Sequence, residues 1–329
     1  MKQLQKILLC VHPEFADLDI VDRAANLARK TGARIRVAHV ISDYPQDTRE
    51  WWNVRNPEKL HKKIVAERQG FLDGIAQRIR DKGVAEVDTH LCWGREFLEI
   101  THEVLRSRYD LVILAGRRRK KMAKMVFECP TMELLRHCPC ALWVARGRIA
   151  PRFKRIAAAL AKEGCRVECD GLNAKILETA AFMAKAEGSR LHIVHALPVY
   201  GGKGLKGDRL RPDLAQFLDE LRIEIMQTCN RMLKEWGIGI TLREKDIHLL
   251  LGRPAAAIAE FVQREGIDLL VMGTVARSGV PGLLVGNTAE KVMDLMDCGV
   301  LTVKPNDFVS LVAFDEETEP VSAGEQSPQ

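Results

Sequence analysis

Aromatic side chains are few, 5% of 329 residues, so the core has to be built from aliphatic ones. No apolar run approaches the roughly 20 residues needed to cross a bilayer. The apolar stretch in MKQLQKILLCV is too short for a secretory signal. Nine cysteines fall in no regular framework, which argues against a disulfide-stapled scaffold and for reduced thiols. Together these absences predict a cytoplasmic protein with no membrane span. GxSxG, HExxH and GxxxxGK(S/T) are also missing, which excludes the esterase elbow, the zinc-protease helix and the P-loop.

Charge is present but unevenly placed. Residues 1–150 hold 28 Lys and Arg against 19 Asp and Glu; residues 151–329 hold 22 against 25. Five of those acids follow Val309 in a stretch without Lys or Arg, a composition expected to be disordered.

The chain repeats itself. Ala33–Ile41, ARIRVAHVI, matches Ser189–Leu197, SRLHIVHAL, with Gly32 on Gly188 and His39 on His195. The 23 residues from Gly94 match those from Gly252, and TMELLRHC from Thr131 matches TAEKVMDLMDC from Thr288, which sets Cys138 on Cys298. The offsets run from 156 to 160, as expected for a duplicated unit of about 145 residues. The domains are expected at 1–148 and 154–308, with a tail at 309–329.

Each half alternates strand and helix. In the first, strands are expected at Lys6–Val11, Arg34–Ile41, Glu86–Cys92, Asp110–Ala115 and Ala141–Ala145. Helices are expected at Asp17–Thr31, Pro57–Lys82, Glu96–Arg108 and Thr131–Arg136. The second half repeats this from Lys154 to Val303. Alternation of this kind predicts an α/β fold, with a five-stranded parallel sheet sandwiched by helices in each half. The two last strands, Ala141–Ala145 and Val300–Val303, are expected to pair as an internal pseudo-dimer and so cover an exposed edge.

The stretch Val271–Val292, VMGTVARSGVPGLLVGNTAEKV, runs from a strand through a glycine loop into a helix N-terminus. That arrangement presents backbone amides to a phosphate. Gly273 ends the strand, Gly286 turns the chain, and Asn287 and Thr288 open the helix. The alternative reading is that Gly279, Pro281 and Gly282 make turns and Gly286-Asn287 caps the helix.

A duplicated five-stranded α/β domain with this loop after its fourth strand resembles the universal stress protein family, and the tandem type E members of bacteria in particular. The resemblance covers residues 1–305 and implies a Rossmann-like domain of the adenine nucleotide α hydrolase type. Nucleotide-binding members carry G-x2-G-x9-G-(S/T) here. On this chain those positions are Gly273, Ala276, Gly286 and Asn287, followed by Thr288. The family also implies an Asp at the end of the first strand, where this chain has Ala161 and, in the first half, His12. Backbone at Ala196 and Leu197, after His195, would touch adenine. The resemblance implies a stress-response regulator whose second domain binds ATP, with Mg2+, or a related nucleotide or other small ligand. It would act on a regulatory protein partner, and further homodimerisation is compatible with it. A slow ATPase, a carrier of a hydrophobic ligand and a ligand-free scaffold stay open as alternatives.

The first half has lost the loop. Ala115 stands at the place of Gly273, Arg117, Arg118, Arg119, Lys120, Lys121 and Lys124 fill the loop, and Cys129-Pro130 replace Gly286-Asn287. The basic run reads either as a solvated loop or as a patch for an anionic partner. His39 and His195 read as structural, because both halves carry them. Cys129, His137, Cys138 and Cys140 lack the C-x2-C spacing of common zinc sites and read as small buried residues. Cys165 and Cys169 form an i,i+4 pair, and Trp51-Trp52 read as a helix cover or a partner contact. The alanines of Ile156–Ala161 leave volume either for close helix packing or for an apolar ligand.

Overall fold

The computed structural model describes residues 4–15, 18–42, 57–115, 130–146, 152–161, 171–197, 212–274 and 286–312. In the first half β1 is Lys6–Cys10, β2 Arg34–Ser42, β3 Val87–Gly94, β4 Leu111–Ala115 and β5 Ala141–Ala145. Between them lie α1 (Leu18–Thr31), α2 (Pro57–Asp81), α3 (Glu96–Ser107) and α4 (Pro130–His137). The second half carries β6 (Arg155–Leu160), β7 (Arg190–Leu197), β8 (Ile247–Leu251), β9 (Leu269–Gly273) and β10 (Gly299–Val303). Its helices are α5 (Gly171–Glu187), α6 (Pro212–Glu235), α7 (Pro254–Glu265) and α8 (Asn287–Leu295). Among the described residues no helix is long and apolar enough to cross a membrane.

All ten strands form one sheet in the order β3-β2-β1-β4-β5-β10-β9-β6-β7-β8. Within each half the pairing is parallel; the halves meet where β5 and β10 run antiparallel, with Val144 on Val300, Trp143 on Leu301 and Leu142 on Thr302. The two strands expected to pair do so. Alternate strand residues feed two cores. Ile7, Leu9, Ile35 and Val37 join α1, α2, α5 and α6 on one face, while Leu8, Cys10, Val112 and Leu114 join α3, α4, α7 and α8 on the other.

The duplication explains several local devices. Asp110 accepts from the Gln5 and Lys6 amides at 2.8 and 2.9 Å, fixing the start of β1 against β4. Asp268 does the same for Lys154 and Arg155 at 2.7 and 2.9 Å. The residues just after the last strands cross the seam reciprocally. Lys304 Nζ donates to Leu135 O on α4, and an Arg146 guanidinium nitrogen donates to Met293 O on α8. Arg136 and Glu290 add an ion pair between the same helices at 3.0 Å.

Two of the alanines of β6 pack against helices, one on each face of the sheet. Ala158 is fully buried in the core that holds Ile176, Leu177 and Ala180 of α5, and Ala157 in the core that holds Ile258 and Phe261 of α7. Close packing of helices uses the volume that small side chains leave. One revision to the repeat follows from register. Ala141 pairs with Leu111 as Gly299 pairs with Leu269, so Cys298 corresponds to Cys140 and Met296 to Cys138.

Candidate functional site

In an open parallel sheet, ligands bind outside the carboxyl ends of the strands where the order reverses. That point lies between β6 and β9 in the second half. β9 ends at Gly273, and the Thr274 amide donates to Val303 O at 3.3 Å. The Gly286 amide donates to Thr274 O at 2.8 Å, so the two ends of the glycine loop are tied together. Ala276 and the rest of the loop, 275–285, lie outside the described residues.

α8 starts at Asn287, and its first bonds run from the Ala289 and Glu290 amides to Gly286 O, at 2.8 and 3.2 Å. The Asn287 and Thr288 amides therefore stand ahead of the helix ladder, at the positive end of the helix dipole. Thr288 is exposed. The Thr274 hydroxyl is buried and has no hydrogen-bond partner among the described residues.

Two glycines have other physical reasons than those the sequence suggests. A methyl placed on Gly273 would lie 2.6 Å from Leu172 Cδ2 and 3.0 Å from its Cγ. The Leu172 side chain in the first turn of α5 fills that space, so any side chain at position 273 would have to displace it. Gly286 has φ −62° and ψ 135°, extended backbone that any residue adopts.

At the end of β6, the position that the resemblance assigns to an Asp is Ala161. Its backbone is clamped by Asn173, fully buried on α5. Asn173 Oδ1 accepts from the Ala161 amide and its Nδ2 donates to Ala161 O, both at 2.9 Å. Sequence reasoning missed this residue, since only an Asn in the first turn of an apolar helix hints at it. Asn173→Ala leaves a buried N–H and C=O without these partners. It should cost about 1–3 kcal/mol in denaturant unfolding, and a loss below that range would show the clamp to be dispensable.

His195 Nδ1 donates to Leu160 O at 3.1 Å, and His39 Nδ1 donates to Val11 O at 3.0 Å. Each histidine ties the end of the second strand in its half to the end of the first, which is the structural role its repetition suggests. Burial pulls His39 down to about 4, keeping the ring neutral. Ala196, next to His195, is half-buried against the core of α7.

In the first half the matching crevice is bordered by Ala115 and by His12, whose Nδ1 accepts from the Glu14 amide at 3.2 Å. Its ring meets His39 edge-on at 5.3 Å. The basic residues Arg117, Arg118, Arg119, Lys120, Lys121 and Lys124 lie outside the described residues, as do Cys129, Trp51, Trp52, Cys165 and Cys169. A separate open pocket of about 350 Å³ lies at the amino ends of β7 and β8, where Arg190 already pairs with Asp246 at 2.6 Å.

Comparisons with known proteins bear on the family and the fold. The model of the universal stress protein family matches residues 3–146 and 170–304. The universal stress protein E of Escherichia coli (strain K12) is 23% identical over 319 residues, 96% of this chain and 99% of that protein. That of Photorhabdus laumondii is 23% identical over 312 residues, 94% of this chain and 97% of its own. A solved structure from Pseudomonas aeruginosa UCBPP-PA14 superposes with a TM-score of 0.67 at 22% identity, covering 93% of this chain and 95% of its own. A universal stress protein from Archaeoglobus fulgidus gives 0.65 at 17% identity, covering 93% and 98%. With a family match in each half and the same strand order twice over, this chain belongs to the universal stress protein family.

Proposed function

We propose that the second half binds ATP, with Mg2+, or a related nucleotide at the carboxyl ends of β6 and β9, and that occupancy is read by a protein partner in a stress response. The observation that carries this reading is the buried Thr274 hydroxyl without a partner, beside the open amides of α8. A buried unpaired hydroxyl costs stability, and a phosphate oxygen would accept from it and from the Asn287 and Thr288 amides. Ala196 would lie under the base, as the family resemblance suggests. Binding would stabilise one loop arrangement, which a partner would read.

Titration of the purified chain with ATP and Mg2+ tests the site. Gly286→Glu keeps ordinary backbone and favours the helix N-terminus, yet sets a negative charge beside the phosphates. It should weaken binding by at least about 100-fold with the fold unchanged. Thr274→Val should weaken binding about tenfold while leaving stability unchanged or higher, because the unpaired hydroxyl is gone. Equal affinity in wild type and Gly286→Glu would remove the nucleotide from this crevice. No binding by wild type would leave the scaffold reading in its place.

A further inference from the structure

We propose that Cys138 and Cys140, with Lys304 as their buried counter-charge, form a reversible thiol–disulfide site that low-molecular-weight disulfides oxidise. The two thiols bracket Pro139 where α4 gives way to β5. The Cys138 amide closes the helix on Leu134 O at 2.9 Å, and Pro139 cannot continue it. This short bend leaves the sulfurs 3.6 Å apart. A disulfide spans about 2.05 Å, so side-chain rotation has to close about 1.5 Å.

Lys304 supplies the charge. The β5–β10 register, Leu142 on Thr302, carries on to set Lys304 opposite Cys140. Its Nζ donates to Leu135 O and, at 3.3 Å, to Arg136 O. The side chain is buried, and its ammonium lies 4.3 Å from the Phe308 ring centroid. Burial pulls Lys304 down to about 8, and a negative charge on Cys138 works against that pull. The hydrogen bond from Cys140 lowers Cys138 against burial, and Lys304 acts in the same direction. The same hydrogen bond, with burial, pushes Cys140 well above its ordinary value, so the first proton leaves the pair from Cys138; single thiols are simply pushed up by burial, Cys10 well above its ordinary value and Cys92 and Cys298 to about 12.

The duplication supplies an internal control. At the equivalent turn of the second half Cys298 matches Cys140, but Met296 replaces Cys138 and Arg146 replaces Lys304. The single thiol there is buried and donates to Gly299 O at 3.4 Å. At this turn only the first half has two thiols.

Cys138 is buried and Cys140 is partly exposed, so the roles divide. The pair gives up one proton, and the charge reaches Cys140 through the proton it shares with Cys138. The Cys140 thiolate attacks one sulfur of the small disulfide, and the other sulfur leaves as a thiolate and takes that proton. The Cys138 thiol loses its proton and attacks Cys140 Sγ, expelling the second small thiolate, which takes it. Two protein thiols lose two electrons and two protons; one small disulfide leaves as two thiols.

Trypsin isolates the site. Cleavage after Arg136 and Arg146 gives His137–Arg146, with these two cysteines and no other. The reduced full chain is equilibrated with mixtures of glutathione and glutathione disulfide, its free thiols are trapped with iodoacetamide, and the fragment is weighed. Oxidising mixtures should give it unalkylated and two hydrogens lighter, and dithiothreitol should reverse this. Cys138→Ser should stop at a glutathione adduct on Cys140. Lys304→Gln should slow wild-type oxidation about tenfold at neutral pH and match it in alkali. A doubly alkylated fragment in the most oxidising mixture, or a lasting glutathione adduct on wild type, would overturn the site. Equal rates for Lys304→Gln and wild type at neutral pH would do so too.

Discussion

Stability should fall steeply as pH drops from 6.5 to 4. Burial, first among the causes, pulls both His39 and His192 from 6.5 to about 4. Each ring is nearly sealed from solvent. Between these pH values the unfolded chain takes up the protons and the folded chain refuses them. Their stabilisation is therefore complete above pH 6.5 and lost as pH falls to about 4. Each shift corresponds to about 3 kcal/mol, and the two together take up much of a stability of about 5–15 kcal/mol. The geometry around His192 shows why it resists a proton. Its Nδ1 lies 2.9 Å from His248 Nε2, so one ring must donate and the other accept. Protonating both would set two N–H groups face to face, with Phe261 closing over His248 at 4.5 Å. Arg190 adds positive charge nearby, while Asp246, held by that same arginine, opposes it. Denaturant midpoints at intervals between pH 7.5 and 4.5 check this, and the double variant His39→Gln, His192→Gln should flatten the profile. A wild-type profile already flat between pH 7 and 5 would contradict it.

Replacing Glu187 by alanine should cost about 3–5 kcal/mol, because it strands a buried guanidinium. Glu187 on α5 and Arg23 on α1 meet across the two halves at 3.2 Å, with both side chains 3% exposed. Lys30 adds a second cation at 3.5 Å. The Arg23 guanidinium lies 3.6 Å from the Phe153 ring centroid, and the Glu187 carbonyl accepts from Arg152 Nε at 2.7 Å. The carboxylate thus holds two cations of α1, and the backbone carbonyl of the same residue holds Arg152, at one point of the seam. Glu187→Gln keeps the shape and one hydrogen bond, so it should cost less. Arg23→Met together with Glu187→Leu removes both charges and should recover most of the loss. Unfolding of the three variants in denaturant separates these terms, and a Glu187→Ala chain within 1 kcal/mol of wild type would show that the pair carries no weight.

The strands and helices were legible because their periodicity is repeated. LVILA and LLVMG announce buried parallel strands on their own, and their match marks the two halves as copies of one α/β unit. The polar interior was far less legible. Arg23 and Glu187 lie 164 residues apart, each on an otherwise apolar helix face, and nothing local marks either as buried. The contact of α3 with β2, and of α7 with β7 in the second half, shows the same limit. Arg36, Glu103 and Tyr109 form a charged network in the first half, with Arg36 2.8 Å from Glu103 and Tyr109 donating to Glu103 at 2.9 Å. Register places His192, Phe261 and Ile267 there in the second. Similar backbones accept either solution, so the repeat alone predicts neither. At the candidate site the glycines point to phosphate contact, while the structure adds that Gly273 faces the Leu172 side chain and that Gly286 has ordinary backbone. Thr274 and Asn173 went unnoticed, because a hydroxyl without a partner and a clamp on Ala161 exist only in three dimensions.

The antiparallel seam between β5 and β10 has one more consequence. Two separate domains joined along that edge would dissociate on dilution. Here both sides of the joint belong to one chain, and the effective concentration of each half for the other is set by the connection, whatever the cell's supply of protein. Each half always meets the same neighbour, so selection acts on a fixed pair. A side chain on one side then has a single counterpart across the seam, as Lys304 has on α4 and Arg146 on α8.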